Sequence, residues 1–564
     1  MLIRRMTSAL TVACAVAVLM PTSAPAVPQR AVVVSERLTT GNDFFVYVPK
    51  GDTGYRAAST PILLVLGDRT FTSDSARRTA ESSGLARIAA DQQGVVAFVN
   101  PAGPRWQAGD TAGVAAALAR FGDSTGTPYD HEGKLCSTGA DGQLRCLYPG
   151  TKARVYLFAD GAGADFVSRR VVPGIDIPAA FPRYDGTPVV QSWTPTAVTL
   201  FNPHDAATRP VQGAEVPAYV VNGSRRVDDS YRRLNNRHGL FGEQDRAARH
   251  GFDSAALRRG YERVVRYAIH RTAETNTALQ VYRIPDYADE GISVRRAVAQ
   301  INGRAQEYTT YVPRSASHRR VPLVLTFHGG GSDADYHTIA TGWPLLAKQH
   351  GFMVVSVNRH VERTGADIVA LLDRLQREYP AIDSTRVYAT GFSMGSVKTW
   401  ELGTQFAGRF AAIAPSNGSF GPVAAIPPLV MPTIYFAGEN SPLPESPHQR
   451  FQFFQPNDKA NDIDARLAAL FAQNHVTPNY VYNAAADLQW GIAARRTSTV
   501  HDREFADVTV TIKEYPSVDG RRLTALASIG NASHEPLPSA ATAAWTFMSS
   551  FARLPNGSVV TTGL

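Results

Sequence analysis

One pattern of residues is written twice along this chain, and that repetition limits its fold more than any other feature. The paired segments keep the same order in both halves: Phe44–Pro49 with Tyr308–Pro313, Pro61–Leu66 with Pro322–Phe327, Gly94–Asn100 with Gly351–Asn358, Arg154–Tyr156 with Arg386–Tyr388, and Val216–Gly223 with Met431–Gly438. The offset falls from 264 residues (44 against 308) to 215 (216 against 431), as loop insertions and deletions between two copies would produce. The sequence therefore predicts two lobes with one architecture.

Short apolar runs alternate with helical periodicity inside each copy. In the second copy, Leu323–Phe327 is almost continuously apolar, which is typical of a strand buried on both faces. Phe352–Val357 and Arg386–Thr390 are further strand candidates, whereas Trp343–Gln349 and Ala366–Tyr379 have helical spacing. This alternation predicts the α/β class, with each lobe a mostly parallel, twisted sheet that carries helices on both faces.

The proposed domain boundaries follow from a break in the hydrophobic periodicity and from a segment that is typical of a signal peptide. The periodicity breaks at Ile284–Tyr287, so we assign residues 27–282 to the first lobe and 283–564 to the second, each long enough to bury its own core. Residues 1–26 are typical of a signal peptide, because Arg4 and Arg5 precede the short apolar stretch Ala9–Leu19 and the small-residue site Ala24–Ala26. An uncleaved anchor is the alternative. We expect a secreted, extracellular chain that is not held in a membrane after cleavage.

Charge and cysteine content exclude some classes of protein. The net charge is only +8 over 564 residues, without a run of five basic residues, which argues against nucleic acid as a partner. Three cysteines become two when Cys14 is removed, and Cys136 and Cys146 flank a polar segment. In an oxidising compartment they are expected to form a disulfide, with two free thiols as the alternative. Two cysteines without a nearby histidine pair predict no metal site.

Two glycine-rich motifs in the second lobe point to nucleophilic chemistry. Gly391–Gly395 is a G-x-S-x-G sequence between a strand and a helical stretch, which is the context of a nucleophile elbow. His328–Gly331 follows the strand Leu323–Phe327, where glycines let backbone N–H groups approach a substrate oxyanion. A glycine-rich turn and a flexible loop are the plain alternatives, but the two motifs stand in the order that acyl chemistry requires.

A serine nucleophile needs a general base, which in this architecture follows it along the chain. Four histidines satisfy that order: His448, His475, His501 and His534. His534 is the best candidate, because it lies in a loop just before the last helical pattern, Ala540–Leu554. The other three are interpreted as structural or solvent-facing.

The segment Ile382–Gly395, together with Tyr311–Pro313 and His328–Gly330, resembles the secreted polyhydroxybutyrate-depolymerase-like esterases. That group is similar to the feruloyl and acetylxylan esterases of the same α/β-hydrolase superfamily. The resemblance covers about 280 to 560, and more faintly 31 to 280. It implies that Ser393 is the nucleophile and His534 the base, and that N–H groups of Met394 and of Gly329 or Gly330 form the oxyanion hole.

The third member of the triad departs from that family pattern. The family places its acid in a Gly-x-x-Asp loop, but here the strand Thr433–Phe436 leads to a segment with Ser441 at the Asp position. Glu439 is the expected acid because it is closest to the strand end. The task of the acid is to orient the imidazole. Glu445, a more distant aspartate and a missing third member are the alternatives.

The first lobe lacks the same chemistry. Aligning Arg154–Tyr156 with Arg386–Tyr388 places Gly161 opposite Ser393, so the nucleophile position has no hydroxyl or thiol. Asp68 stands in the segment opposite the glycine loop and would bring negative charge to any oxyanion site. We interpret this lobe as a degenerate, catalytically silent copy that supports the second lobe, covers its site or binds polymer.

The sequence thus predicts a secreted serine esterase that acts through an acyl-enzyme without a metal or organic cofactor. Its partner is an ester substrate, polymeric or small, and the sequence does not indicate the oligomeric state. Within enzymes, the alternatives to a polyhydroxyalkanoate-depolymerase-like activity are a feruloyl or acetylxylan-type carbohydrate esterase and a peptidase of the same fold. A non-catalytic binding protein on a hydrolase scaffold is the alternative from another class.

Overall fold

The computed structural model describes residues 31–562 except 50–60, 93, 123–134, 139–143, 151–153, 179–189, 211–214, 236–238, 246, 248–250, 272–279, 317–318, 330–331, 419–427, 440–457, 503–507, 531, 533 and 535. The leader 1–26 therefore lies outside the described residues, as do Gly330, Ser441, Glu445 and His448. None of the helices within these ranges has the length and apolar character needed to cross a bilayer.

Strands of the first lobe are β1 (Val32–Arg37), β2 (Asp43–Val48), β3 (Ile62–Leu66), β4 (Val95–Val99), β5 (Phe121–Gly122), β6 (Leu135–Thr138), β7 (Leu144–Pro149), β8 (Val155–Asp160), β9 (Ile175–Pro178), β10 (Val190–Trp193), β11 (Ala197–Phe201), β12 (Ala218–Val221), β13 (Phe241–Gln244), β14 (Ala268–Arg271) and β15 (Gln280–Arg283). Its helices are α1 (Ser73–Ser82), α2 (Leu85–Asp91), α3 (Asp110–Leu118), α4 (Ala162–Phe166), α5 (Arg225–Leu234) and α6 (Ser254–Arg263). A π-helical turn, Val167–Val171, continues α4, and a 3₁₀ turn, Val265–Tyr267, follows α6.

Strands of the second lobe are β16 (Ile292–Ile301), β17 (Arg304–Pro313), β18 (Val321–Phe327), β19 (Met353–Val357), β20 (Ile382–Phe392), β21 (Ala412–Ser416), β22 (Thr433–Gly438), β23 (Arg496–His501), β24 (Thr509–Tyr515), β25 (Thr524–Gly530), β26 (Phe551–Arg553) and β27 (Val559–Thr561). Its helices are α7 (Ala334–Ala340), α8 (Trp343–His350), α9 (Gly365–Glu378), α10 (Met394–Gln405), α11 (Asp458–Gln473) and α12 (Pro538–Met548). Three 3₁₀ turns complete it: Arg314–Ala316, His360–Glu362 and Ala407–Arg409.

The two large sheets share one strand order. The first runs β1-β2-β4-β3-β8-β11-β12-β13, and the second runs β16-β17-β19-β18-β20-β21-β22-β25, extended by β24 and β23. In both, two antiparallel pairings at one edge lead into a parallel series, for example β2 against β4 and then β4 with β3. The predicted tandem α/β fold is confirmed, and each repeated sequence segment falls on the equivalent strand of its own sheet.

Period-two alternation in the central strands builds a core on each face of each sheet. In β18, Leu323, Leu325 and Phe327 join one cluster, while Val324 joins the other. The helix α9 packs its apolar stripe on the first face. The helices α8 and α12 cover the second face, where the ring of Trp545 in α12 stacks on that of Phe352, which precedes β19. Side chains buried on both faces explain the nearly continuous apolar runs in the sequence.

The last helical pattern is shorter than the sequence predicts. The helix α12 ends at Met548 rather than at Leu554, and Phe551–Arg553 instead forms β26, paired with β27. The buried Arg553 side chain donates hydrogen bonds to the carbonyl oxygens of Phe410 and Val430, at 2.6 and 2.7 Å. These tertiary contacts hold the segment extended although its apolar spacing continues that of the helix.

Cys136 and Cys146 lie opposite each other in a hairpin. In the antiparallel pairing of β6 with β7, Cys136 is the register partner of Cys146. We therefore predict a disulfide between them, so that a chain lacking residues 1–26 has no reactive thiol before reduction and two afterwards. Thiol titration of denatured protein with and without reductant checks this. A chain that retains Cys14 would give one thiol more, and two thiols without reductant in the mature chain would contradict the disulfide.

Reduction should also lower stability if the hairpin is cross-linked. A loop of this length contributes about 2–3 kcal/mol on the chain-entropy view. A double Cys136→Ser/Cys146→Ser variant should unfold at the same denaturant concentration as the reduced wild type, whereas reduction should leave that variant unchanged.

Candidate active site

The strongest feature of the second lobe is a strained turn at Ser393, between β20 and α10. This residue has φ 54° and ψ −114°, a backbone conformation that residues with a side chain rarely adopt. Such strain costs roughly 1–3 kcal/mol and persists only where the surroundings enforce it. The Ser393 N–H donates to the carbonyl oxygen of Ser416 at 2.9 Å, which ties the turn to the end of β21.

Both glycines of the motif are required by close backbone approach. A Cβ on Gly391 would lie 2.3 Å from the carbonyl oxygen of Gly395. A Cβ on Gly395 would lie 2.1 Å from the carbonyl oxygen of Phe327, at the end of β18. The G-x-S-x-G spacing is thus the steric condition for the turn. It also places the first N–H groups of α10, beginning at the exposed Met394, beside the Ser393 side chain.

The glycine loop after β18 meets this turn. Since β18 pairs in parallel with β20 and Phe327 is the register partner of Gly391, both strands deliver their loops to the same edge. A Cβ on Gly329 would lie 2.8 Å from the Phe392 ring and 3.5 Å from Cβ of Ser393. The Gly329 backbone therefore lies against the Ser393 turn, as expected of the predicted oxyanion loop, of which His328, Gly329, Ser332 and Asp333 are described.

Two buried histidines hold that loop from inside. The His328 ring donates through Nδ1 to the Gly329 carbonyl oxygen at 2.7 Å, and His360 donates through Nε2 to the His328 carbonyl oxygen at 2.8 Å. Because carbonyl oxygens only accept, these contacts fix the tautomer of each ring. Burial lowers the pKa of His328, and it holds the pKa of His360 well below its ordinary value. Both rings therefore act as neutral donors.

His534 also packs against Phe392. Its ring centre is 4.6 Å from that of Phe392, the residue before Ser393, with 43° between the planes. The residue is half-buried, in the connection from β25 to α12. Gly329 and His534 thus both lie against the ring of Phe392, directly before Ser393.

Glu439 lies beside the strand that leads to His534. Its N–H donates to the carbonyl oxygen of Ile529 at 3.0 Å, because β22 and β25 are parallel neighbours. Oε1 accepts a 2.8 Å hydrogen bond from Gln489, whereas Oε2 lies 3.5 Å from where a Cβ on Gly530 would be. The carboxylate is therefore held at the end of β25, four residues before the histidine.

A buried carboxylate, Asp502, lies near the start of α12. It is only 6% exposed and accepts a hydrogen bond from the Ser539 N–H at 3.1 Å, near the start of α12. Asp487, in contrast, is paired with Lys513 at 2.6 Å and orders the turn that carries Gln489. Sequence reasoning did not single out His360, Gln489 or Asp502, since no local motif distinguishes them.

The first lobe has the same backbone turn as the Ser393 segment, but a glycine stands at the position of Ser393. Gly161 has φ 51° and ψ −120°, nearly the angles of Ser393, and its N–H donates to the Phe201 carbonyl oxygen at 2.9 Å. A Cβ on Gly163 would lie 2.6 Å from the carbonyl oxygen of Leu66, as Gly395 does against Phe327. The backbone of a nucleophile turn is therefore present without a nucleophile.

Asp68 occupies the space where a nucleophile and an oxyanion would lie. Its Oδ1 accepts from the Ala162 N–H at 3.0 Å, and a Cβ on Gly161 would lie 2.7 Å from the same oxygen. Trp106 donates to the Gly67 carbonyl oxygen at 2.9 Å, the place that His360 takes in the second lobe. Because Asp68 accepts from the Ala162 N–H, the first N–H group of α4 is already hydrogen-bonded within the protein.

A cleft of about 1390 Å³ opens at this edge of the first sheet, lined in part by Asp68, Asp160 and Asp165. Its carboxylates are bonded within the lobe: Asp160 accepts from Asn202 at 2.7 Å, and Asp165 accepts from the His204 N–H at 2.6 Å. They brace the loops that surround the cleft.

Comparisons with known proteins give local likeness only. No family-level sequence profile matches this chain. A stretch of 125 residues is 33% identical to the bifunctional acetylxylan esterase/xylanase XynS20E of Neocallimastix patriciarum, covering 21% of this chain and 18% of that protein. The chain thus spans less than one fifth of the relative that it matches.

Similar solved structures include an acetyl xylan esterase from Aspergillus awamori, with 12% identity, a TM-score of 0.31, and coverage of 45% of this chain and 98% of that one. A feruloyl esterase module from Clostridium thermocellum gives 11% identity, a TM-score of 0.28, and coverage of 47% and 89%.

The buried histidines predict a loss of stability in mild acid. Burial lowers the pKa of His337 from 6.5 to about 3. Below pH 6.5 the unfolded chain binds a proton that the folded chain excludes, so stability is intact above pH 6.5 and declines as the pH falls towards 3. Each such histidine contributes a slope of about 1.4 kcal/mol per pH unit.

Denaturant unfolding between pH 7.5 and 4 measures this slope. His337→Phe, which suits the stacked neighbour Phe392, should reduce the slope by about one proton relative to the wild type. His501→Gln, on the exposed strand β23, is the matched control and should keep the wild-type slope. A slope unaltered by His337→Phe would contradict a neutral buried ring.

Proposed function

We propose that this protein is a secreted serine esterase whose second lobe hydrolyses carboxylic esters on a polysaccharide, with an acetyl or feruloyl group as the acyl part. The convergence of Ser393, Gly329 and His534 around Phe392 at a strained turn is the observation that carries the proposal. The acetylxylan esterase/xylanase relative favours a carbohydrate ester over a polyhydroxyalkanoate. Polyhydroxyalkanoate hydrolysis, implied by the resemblance of the motifs, is the second candidate.

The reaction uses each group once in each half-cycle. Ser393 Oγ attacks the ester carbonyl carbon while His534 takes its proton, and the carbonyl oxygen gains the electron pair. The N–H groups of Met394 and Gly329 or Gly330 stabilise this oxyanion. Collapse breaks the bond to the alkoxy oxygen, which leaves with the proton from His534. Water then attacks the acyl-enzyme in the same way, and the carboxylic acid is released.

Glu439 is the acid in this proposal, and its fixed geometry supports the assignment. Gln489 binds Oε1, so that the remaining oxygen lies on the side of Gly530 and the segment leading to His534. A carboxylate there would orient the imidazole and stabilise its cation after proton transfer. A glutamate directly after the strand replaces the aspartate that the family pattern places at 441.

We predict that Ser393→Ala and His534→Ala each lower kcat for p-nitrophenyl acetate by about 10⁴-fold or more, because each removes an essential partner in proton transfer. Ser384→Ala, at an exposed position of β20, and His501→Ala, on β23, are the matched controls and should retain wild-type rates. Substantial activity in Ser393→Ala would mean that catalysis lies elsewhere and would overturn the proposal.

The substrate class is tested with the purified wild type. It should release acetate from acetylated xylan or ferulate from methyl ferulate, and it should release no hydroxybutyrate from a polyhydroxybutyrate film. The opposite pattern would establish the polyhydroxyalkanoate candidate instead.

The assignment of the acid predicts a contrast between the half-buried Glu439 and the buried Asp502. Glu439→Gln should lower kcat by roughly 10²–10⁴-fold with little change in KM, since the neutral amide no longer stabilises the imidazolium. Asp502→Asn, which keeps the shape of the group near α12, should stay within a few-fold of wild type. The reverse result would move the acid to Asp502, and two active variants would leave Glu445, a more distant aspartate or a missing third member.

A further inference from the structure

The two lobes touch at the helix that follows the oxyanion loop. Ile269 of β14 and Tyr282 of β15 are buried against Ala340 of α7, with Tyr336 and Ile339 of α7 packed at the margin of this cluster. The hairpin is joined to the first sheet, because the Tyr156 hydroxyl donates to the Ala268 carbonyl oxygen at 2.8 Å. The first lobe therefore packs on a helix that begins one residue after the loop ends.

A charged contact accompanies this apolar one. Arg154 directly precedes β8 in the first lobe, and its guanidinium carbon lies 5.7 Å from the centre of the Tyr336 ring. Burial disfavours the charge of this side chain, but Tyr156 of the first lobe, to which it is hydrogen-bonded, and then the carboxylate of Asp333 raise the pKa of Arg154. A cation–π contact fixes the position of the two groups that it joins. Arg154 thus links Tyr156 in the first sheet to Tyr336 in the second lobe.

Asp333 is the residue through which this contact reaches the site. Its Oδ1 accepts a 2.6 Å hydrogen bond from the Tyr336 N–H and so caps the N-terminus of α7. The Ser332 N–H donates to the Gly329 carbonyl oxygen at 3.2 Å, so the residue before the cap is hydrogen-bonded to Gly329. The negative charge of Asp333 also acts on the buried ring of His328. A contact that fixes the position of Asp333 therefore also fixes the C-terminal end of the oxyanion loop.

The contact uses the end of the first sheet that is remote from its own cleft. Arg154 stands at the start of β8, whereas Gly161 follows its last residue. Six residues of extended chain separate the two ends by about 20 Å. The cleft of the first lobe and its contact with the second are thus independent features.

We infer that the first lobe positions the oxyanion loop of the second lobe, and that Arg154 is the positioning residue. This inference goes beyond the proposed function but rests on it in its catalytic readout. Oxyanion donors act only when held at hydrogen-bond distance, about 2.7–3.1 Å, from the developing charge, so a loop released at Asp333 should lose transition-state stabilisation and not substrate binding.

The test compares three variants of the full chain with p-nitrophenyl acetate. Arg154→Met keeps the aliphatic stem and removes the charge, and it should lower kcat by about tenfold or more with KM within about twofold of wild type. Affinity for a trifluoromethyl ketone, which forms a bound oxyanion, should fall by the same factor as kcat/KM. Arg154→Lys should recover most of the rate. Arg120→Met, which breaks the ion pair with Glu36 inside the first lobe, is the matched control and should behave as wild type.

Wild-type kcat and ketone affinity in Arg154→Met would overturn the inference, and so would an equal loss in Arg120→Met. If Arg154→Met does not fold, Tyr336→Leu removes the aromatic face and leaves both charges in place. It should lower kcat several-fold at unchanged KM, and an unchanged kcat would contradict the inference.

A readout without catalysis separates this inference from the proposed function. Amide hydrogen exchange at Gly329 and along α7 should be faster in Arg154→Met than in the wild type, and unchanged in Arg120→Met. That difference would stand even if Ser393→Ala retained activity and the esterase proposal failed. Equal exchange in all three chains would overturn the role of the first lobe whatever the activity.

Discussion

The architecture of both lobes depends on one steric condition, which is a strand that turns into a helix through a residue with positive φ. Ser393 meets it at φ 54° and Gly161 at φ 51°. The turn is enforced because the following glycine in each lobe lies against the carbonyl end of the neighbouring strand, Gly395 on Phe327 and Gly163 on Leu66. The condition concerns the backbone alone. A chain can therefore keep the fold while it changes every chemical group at the site.

The first lobe shows what such a change involves. Glycine relieves the strain that serine bears, since it adopts positive φ without a Cβ penalty. The vacated side-chain space is taken by Asp68, whose carboxylate binds the Ala162 N–H that would otherwise face an oxyanion. An anion supplied by the protein at a helix N-terminus is electrostatically favourable. The same N-terminal amides thus stabilise the resting fold in one lobe and are available to a substrate in the other.

Much of this organisation could be predicted from the sequence, and the failures have a common cause. The repeat and the period-two strands are local signals, and they located the two sheets and the Ser393 turn. The end of α12 was predicted wrongly because Arg553, bonded to Phe410 and Val430, overrides the helical spacing of its segment. The loop clamp by His360 and the Gln489–Glu439 bond join residues 32 and 50 positions apart, and no local pattern marks either one. Contacts of this kind follow from the folded topology and not from motif spacing.

The proposed oxyanion loop is the element on which these long-range contacts meet. His360 holds its beginning from within the second lobe. At its end, Asp333 binds the N–H of Tyr336, the residue that Arg154 of the first lobe contacts. Coupling between two sites is reciprocal in binding free energy. An oxyanion bound at Gly329 and Met394 must therefore strengthen the contact between the lobes by the same amount that this contact adds to oxyanion binding. A lobe without its own nucleophile can in this way contribute to the chemistry of its neighbour through the position of one loop.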